Sequence, residues 1–223
     1  MDFLTFVGRF GGSLRTKNFN SPVDTVFKKT MQNRRMHFQS GKSEIPAEFV
    51  RQDPWEAEYL FMIAARAKLG ILETGRYNGG SALMMSCANP DVPIYSIDLA
   101  PQNDALLRDL FEKLQVGGNV RLIVGDSQRS KYPEIGAFDV LFIDGDHSYE
   151  GCTADLENWY DDLVPGGHVL LHDSYHGSPV MDSCVDFIAR RRPIVHQSPY
   201  RLRNHSLHPI GSITHFQKPF DAS

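Results

Sequence analysis

Glu73-Thr-Gly-Arg-Tyr-Asn-Gly-Gly-Ser81 is the stretch from which the fold is read. The short apolar run at 70–73 reads as a strand that delivers the chain into this loop, and 81–87 reads as the helix that leaves it. Glycines at 75, 79 and 80 let the backbone turn tightly and approach a ligand before the helix begins. The loop lacks the G-x-G-x-x-G spacing of a nicotinamide-binding turn and the lysine of a phosphate-binding loop. Glu73 at the strand end would repel phosphates, so a ligand carrying positive charge suits it better. A plain strand–helix turn is the alternative reading.

Working outward, further strands are predicted at 94–98, 120–124, 140–144 and 168–172, with helices at 104–114 and 150–163 and a short turn near Lys131. An earlier helix, 54–67, opens with Asp53 as N-cap, Pro54 at its first position and Glu56 two residues on. Another fits 179–191, and the apolar stretches 193–196 and 210–216 suit an antiparallel pair at the sheet edge. Strand–helix alternation of this kind predicts βαβ units, hence an α/β fold with a doubly wound, mostly parallel sheet. Ligands in such folds bind beyond the carboxyl ends of the strands.

At 223 residues with 41% hydrophobic and 22% charged side chains, the chain is globular in composition. We read residues 1–52 as an irregular N-terminal arm, a lid or oligomer contact, and 53–223 as the single α/β domain. The arm holds nine Lys/Arg against four Asp/Glu, whereas residues 53–185 hold eight against twenty-one. So acidic a body is a poor partner for nucleic acid. The apolar runs are too short for a membrane span, and the start has no signal-peptide pattern. Cys87, Cys152 and Cys184 are too few and scattered for a disulfide framework, which fits a reduced, cytoplasmic setting.

Three predicted strands close on acids. Asp98 follows the glycine loop at a spacing suited to accepting both ribose hydroxyls of an adenosine group. Asp126, ahead of Ser127, is placed to accept from an adenine amino group. Either acid would also serve as a helix cap or a solvated turn residue. The fourth strand runs F-D-V-L-F-I-D-G-D-H-S-Y-E and the fifth G-G-H-V-L-L-H-D-S-Y, so Asp144 and the His172–Asp173 pair emerge on one rim. Two carboxylates with one imidazole suit Mg²⁺, Mn²⁺ or a similar divalent ion. His172 joins such a site only if its strand has ended and the chain turns there; otherwise it packs against the sheet. His147, three residues past Asp144, is the candidate general base.

The stretch 71–175, with I-D-G-D-H-S-Y-E followed by P-G-G-H-V-L-L-H-D, resembles class I S-adenosylmethionine-dependent methyltransferases. Within them it is similar to the branch of the macrocin and mycinamicin sugar O-methyltransferases and cephalosporin-hydroxylase-like proteins, and more distantly to catechol O-methyltransferase. The resemblance implies that Glu73, Gly75, Asn78, Gly79 and Ser81 belong to the cofactor loop. It makes Asp98 the ribose acid and places Asp126, Ser127 and Asp144 along the rest of the cofactor. Asp144, His172 and Asp173 fall at or beside metal-ligand positions, and His147 at that of the base. His172 stands where the sugar enzymes have an acid, and Ser174 where the catechol enzymes have an amide. A histidine ligand tilts a site toward Mn²⁺, Fe²⁺ or Zn²⁺.

The implied reaction is methyl transfer from S-adenosylmethionine to a hydroxyl of a small molecule, a sugar or catechol-like vicinal diol. A Mg²⁺ or Mn²⁺ ion would hold the substrate oxygens and His147 would remove the proton. A homo-oligomer is compatible with the arm. The competing readings are a nicotinamide-dependent oxidoreductase, a non-catalytic cofactor-binding protein and a nucleic-acid methyltransferase guided by the basic arm.

Overall fold

The computed structural model describes residues 1–2, 5–6, 49–197 and 212–220. Most of the predicted arm, and the start of the last predicted strand, lie outside the described residues. Helix α1 (Pro54–Ala64) precedes β1 (Ile71–Thr74), α2 (Gly80–Ala88), β2 (Ile94–Asp98), α3 (Asp104–Leu114) and β3 (Val120–Val124). There follow β4 (Val140–Ile143), α4 (Tyr149–Trp159), β5 (His168–Leu171), α5 (Pro179–Arg191), β6 (Ile194–Gln197) and β7 (Thr214–Gln217). They form one sheet in the order β3-β2-β1-β4-β5-β7-β6. The pairings through β5 are parallel, and β7 runs antiparallel to both β5 and β6. This is the predicted doubly wound, mostly parallel α/β fold.

Strand side chains alternate between two cores. Ile71, Val140, Phe142 and Leu170 pack on one face with α1, α2 and α3, while Leu72, Leu141, Ile143 and Leu171 pack on the other with α4 and α5. Central strands covered on both faces need apolar residues at nearly every position, as β1 and β4 show; edge strand β3 leaves Arg121 and Val124 exposed. Helix α3 buries Leu107, Leu110, Phe111 and Leu114, a stripe at helical spacing. The hydroxyls of Ser148 and Ser178 cap α4 and α5 by accepting from the backbone N–H groups of Gly151 and Met181.

Two helices end earlier than their apolar patterns predict. Beyond α1, the Asp139 carboxylate accepts the N–H groups of Lys68, Leu69 and Gly70 and draws the chain into β1. Beyond α4, the Lys218 ammonium donates to the carbonyls of Tyr160, Asp161 and Leu163, closing the helix end with a cation. The segment flanking Lys131 forms turns at 127–129 and 133–134.

Glu73, in β1, is fully buried, and its two carboxyl oxygens face the hydroxyls of Ser81 and Ser96. Burial pushes its pKa up from 4.5 to about 7, against the pull of those hydroxyls and of Arg76. The stability this side chain contributes is full below pH 4.5 and is lost as pH rises through about 7. Glu73→Gln keeps the shape without the ionisation. In urea unfolding at pH 8 it should gain on the order of 1–3 kcal/mol relative to the parent, at roughly 1.4 kcal/mol per pKa unit, and should lose that advantage at pH 4. A difference between the two proteins that is the same at both pH values would show that folding does not raise the pKa of Glu73.

Candidate active site at the carboxyl end of the sheet

The carboxyl ends of β1, β2, β4 and β5 open on a cleft whose floor is the 75–81 loop. Gly75 has φ +86, and a Cβ there would lie 2.2 Å from the carbonyl oxygen of Asp144, so the loop presses on the end of β4 as only glycine allows. The guanidinium of Arg76, itself buried, forks onto Asp104 at 2.8 and 2.9 Å and pins the loop to the first turn of α3. Asp98 holds the loop from the other side: its Oδ2 accepts the N–H groups of Arg76 and Tyr77 at 2.8 and 2.7 Å. Its Oδ1 accepts from Ala100. Asp98, Asp126 and Ser127 line one lobe of the cleft with Gly75 and Asp144.

The other predicted loop residues divide. Asn78 and Ser81 line the adjoining lobe, although the Ser81 hydroxyl turns inward to Glu73 and the Asn78 oxygen accepts from Asn103. Glu73 lies beneath the loop, hydrogen-bonded to the two serines, and lines neither lobe. Gly79 is the N-cap of α2, at φ +84, where a Cβ would meet Leu107 at 2.2 Å; its role in the geometry is packing.

In the second lobe Asp144, His147, His172 and Asp173 converge. Strand β5 ends at Leu171, and Asp173 has φ +52, so the chain turns immediately after the strand and both His172 and Asp173 reach the cleft. Nδ1 of His172 lies 3.0 Å from Asp144 Oδ1 and 3.5 Å from Asp173 Oδ2. His147 bridges the same two carboxylates at 3.5 and 3.6 Å, with its ring half exposed. Burial would lower the pKa of His172, but the Asp144 and Glu56 carboxylates beside it outweigh this and raise it well above 6.5. Hydrogen bonding to Asp144 also raises that of His147, and the same neighbours hold Asp144 below the ordinary carboxylate value despite its burial.

Glu56 and Gln52 complete the site, although the sequence marks neither for it. The Glu56 carboxylate accepts from Asp53 N–H, Ser212 N–H and the Ser212 hydroxyl, and faces His172 Nε2 at 3.0 Å. Gln52 donates from Nε2 to Asp144 Oδ2 at 3.0 Å. Glu56 has a complete local explanation as a capping residue, so no sequence signal shows its second duty. Gln52 stands just ahead of α1, in the stretch read as arm, and with Phe49 and Arg51 it lines the cleft.

The residues fit a divalent ion. With Nε2–H donated to Glu56, Nδ1 of His172 faces Asp144 and Asp173, has no aligned hydrogen-bond partner despite its 3.0 Å approach to Asp144, and offers a lone pair to an ion once its proton leaves. Two ligand atoms this close but misaligned point toward a shared centre. The ligating atoms of Asp144, His172 and Asp173 lie within 4.8 Å of one another. An ion would compete with the proton that the neighbouring carboxylates hold on His172.

Comparison with known proteins agrees with this geometry. A family model described as a methyltransferase domain matches residues 72–174, which run from β1 through Asp173. The chain is 28% identical over 147 residues to an uncharacterised protein of Acanthamoeba polyphaga mimivirus, a match spanning 60% of this chain and 65%, under two thirds, of that one. Among solved structures, the S-adenosylhomocysteine-bound methyltransferase of Podospora anserina superposes with a TM-score of 0.61 at 18% identity, covering 92% of this chain and 98% of that one. The O-methyltransferase NovP does so with a TM-score of 0.57 at 16% identity, covering 75% and 81%. Among the described residues no helix is long and apolar enough to cross a membrane. The glycine loop after β1, the acids ending β2 and β4 and the match over 72–174 together make this stretch similar to a methyltransferase domain, on a sheet that shares its fold with S-adenosylhomocysteine-binding methyltransferases.

Proposed function

We propose that this protein is a divalent-metal-assisted O-methyltransferase acting on a hydroxyl of a small molecule, a sugar or catechol-like vicinal diol. One observation carries the reading: Asp144 sits where the two lobes meet, against Gly75 on one side and against His147, His172 and Asp173 on the other. A methyl group delivered along the loop would arrive beside an imidazole and a cluster of oxygen and nitrogen donors. The branch resemblance to sugar O-methyltransferases and the likeness to the O-methyltransferase NovP support the same choice of acceptor atom.

The first lobe is the cofactor side in this reading. Asp98 and Asp126 face the adenosine, and the acidic rim favours a sulfonium cation over its neutral product. In the second lobe His147 takes the hydroxyl proton. The substrate oxygen then forms its bond to the methyl carbon as the carbon–sulfur bond breaks, leaving S-adenosylhomocysteine and a protonated His147. Asp144 and Asp173, at 3.5 and 3.6 Å, stabilise that imidazolium and fix the ring. A divalent ion held by Asp144, His172 and Asp173 would supply Lewis acidity that lowers the hydroxyl pKa. Arg51, whose guanidinium lies over the Tyr77 ring at 5.4 Å, narrows the mouth. The polar walls beyond it, with Asp53, Tyr175 and Ser178, suit a hydroxyl-rich acceptor.

Asp98→Ala should weaken S-adenosylmethionine binding by roughly 1–3 kcal/mol in titration calorimetry, through lost ribose contacts and a loosened loop. Unchanged affinity would remove Asp98 from the cofactor site. In single-turnover assays on a panel of sugars and catechols, His147→Ala should slow methyl transfer by roughly 10²–10⁴-fold and leave cofactor affinity intact. The parent rate should climb with pH through the imidazole titration, and this climb should vanish in the variant. Chelation should abolish turnover, with Mn²⁺ or Mg²⁺ restoring it in the parent but not in Asp144→Ala. Full activity in a metal-free sample would leave His147 as the sole catalyst of the proposal.

A further inference from the structure

Away from the cleft, three imidazoles gather at the antiparallel edge of the sheet. His168 begins β5, His215 lies on β7 and His196 on β6, so three adjacent strands each contribute one ring. His168 pairs in register with Gln217, two positions from His215, which puts both rings on one face of the sheet. The β6–β7 register shifts between Val195 and Gln197, so His196 is the extra residue of a bulge. Because Ile194 faces Gln217 and Val195 faces Phe216, regular alternation already sets His196 on the face of Gln217 and His215, beside the other two rings. His196 stacks on His215 with centroids 4.7 Å apart, and the rings of His168 and His215 are 5.1 Å apart. One nitrogen from each of the three lies within 4.8 Å of the others.

We propose that His168, His196 and His215 bind one divalent transition ion of the zinc, nickel or copper class, at a site distinct from the acidic cluster. Three imidazoles without a carboxylate select such ions and reject Mg²⁺. The nearby Asp139 carboxylate is engaged by the backbone of Lys68, Leu69 and Gly70. Nδ1 of His168 and Nε2 of His215 are 3.0 Å apart. Two nitrogens at 2.0–2.1 Å from a tetrahedral ion stand about 3.3–3.4 Å apart, so a shift of a few tenths of an ångström admits it. The rest of the cluster is arranged as supports to metal ligands are. Tyr59 reaches from α1 to within 2.7 Å of His215 Nδ1, and with Nδ1–H donating to the phenol oxygen, Nε2 is left as the ligand. Gln217 Oε1, 3.0 Å from His196 Nε2, does the same for that ring and leaves Nδ1 for the ion. Burial and the neighbouring histidines push the pKa of His215 down to about 3 and lower that of His168, so neither imidazole must first lose a charge. His215 is buried and His196 exposed, so the fourth position opens to solvent.

The test is a titration with Zn²⁺, and with Co²⁺ as a spectroscopic probe, of the full chain carrying Asp144→Ala, which disables the acidic cluster and serves as the parent here. The parent should take up one Zn²⁺, with a rise in Tm and a visible Co²⁺ band of tetrahedral type. His196→Ala removes an exposed side chain and should keep the fold and cofactor affinity, yet lose at least tenfold in Zn²⁺ affinity together with the Tm rise. Tyr59→Phe should weaken binding by about 10–100-fold, as loss of a ligand's hydrogen-bond partner does. No Zn²⁺ uptake by the parent, or uptake and Tm rise undiminished in His196→Ala, would overturn the assignment and leave a neutral, hydrogen-bonded histidine cluster.

Discussion

The Glu56 carboxylate is the contact through which the site is tied to the fold. It accepts from Asp53 at the start of α1 and from Ser212 ahead of β7, and it meets His172 just past β5. A carboxylate this deeply buried persists as an anion only when its lone pairs are met, and here His172 and Ser212 hold its pKa below the ordinary value despite burial. The consequence is felt at the opposite nitrogen. With Nε2 turned to Glu56, the His172 ring can present only Nδ1 to Asp144 and Asp173. The elements meeting at Glu56 therefore set the aim of one donor atom in the cleft.

Two acids at the ends of neighbouring strands show how environment divides one chemistry. Glu73 in β1 and Asp144 after β4 both lie near the loop, yet burial drives one up to about 7 and cationic neighbours hold the other down. Glu73 faces serine hydroxyls, whereas Asp144 faces His147, His172 and the Gln52 amide. Asp155 resembles Glu73: it accepts from Thr74 and is raised to about 6 by burial. The acids beneath the loop thus tend toward neutrality, while Asp144 and Asp173, in the cleft, stay ionised and present negative charge to a cationic cofactor or metal.

Much of this was legible along the chain, for reasons that differ by element. Helices 104–114 and 179–191 were readable to the residue because an apolar stripe or a Ser–Pro cap marked each. Strands 94–98 and 120–124 lay between strong turn signals. Where the predicted helices overran, at 54–67 and 150–163, the stop comes from distant partners, the Asp139 carboxylate and the Lys218 ammonium. The composition of Ala65-Arg66-Ala67 does not oppose a helix, so nothing local announces the end.

The same division runs through the site. Asp98, Asp126, Asp144, His147 and Asp173 could be named from the sequence because parallel strands must deliver their carboxyl ends to one rim, and each short apolar run stops at an acid or a turn. That logic is local and repeats strand by strand. Whether His172 faced the cleft depended on a single left-handed residue, Asp173, and on a carboxylate 116 positions away in the chain. Glu56, Gln52, and the gathering of His168, His196 and His215 likewise required knowing which strands are neighbours and how they are registered. Periodicity and caps record interactions within a few residues, and so determine the elements and their order. The aim of a buried polar atom is settled by whatever partner the folded chain brings to it, and only the tertiary structure contains that partner.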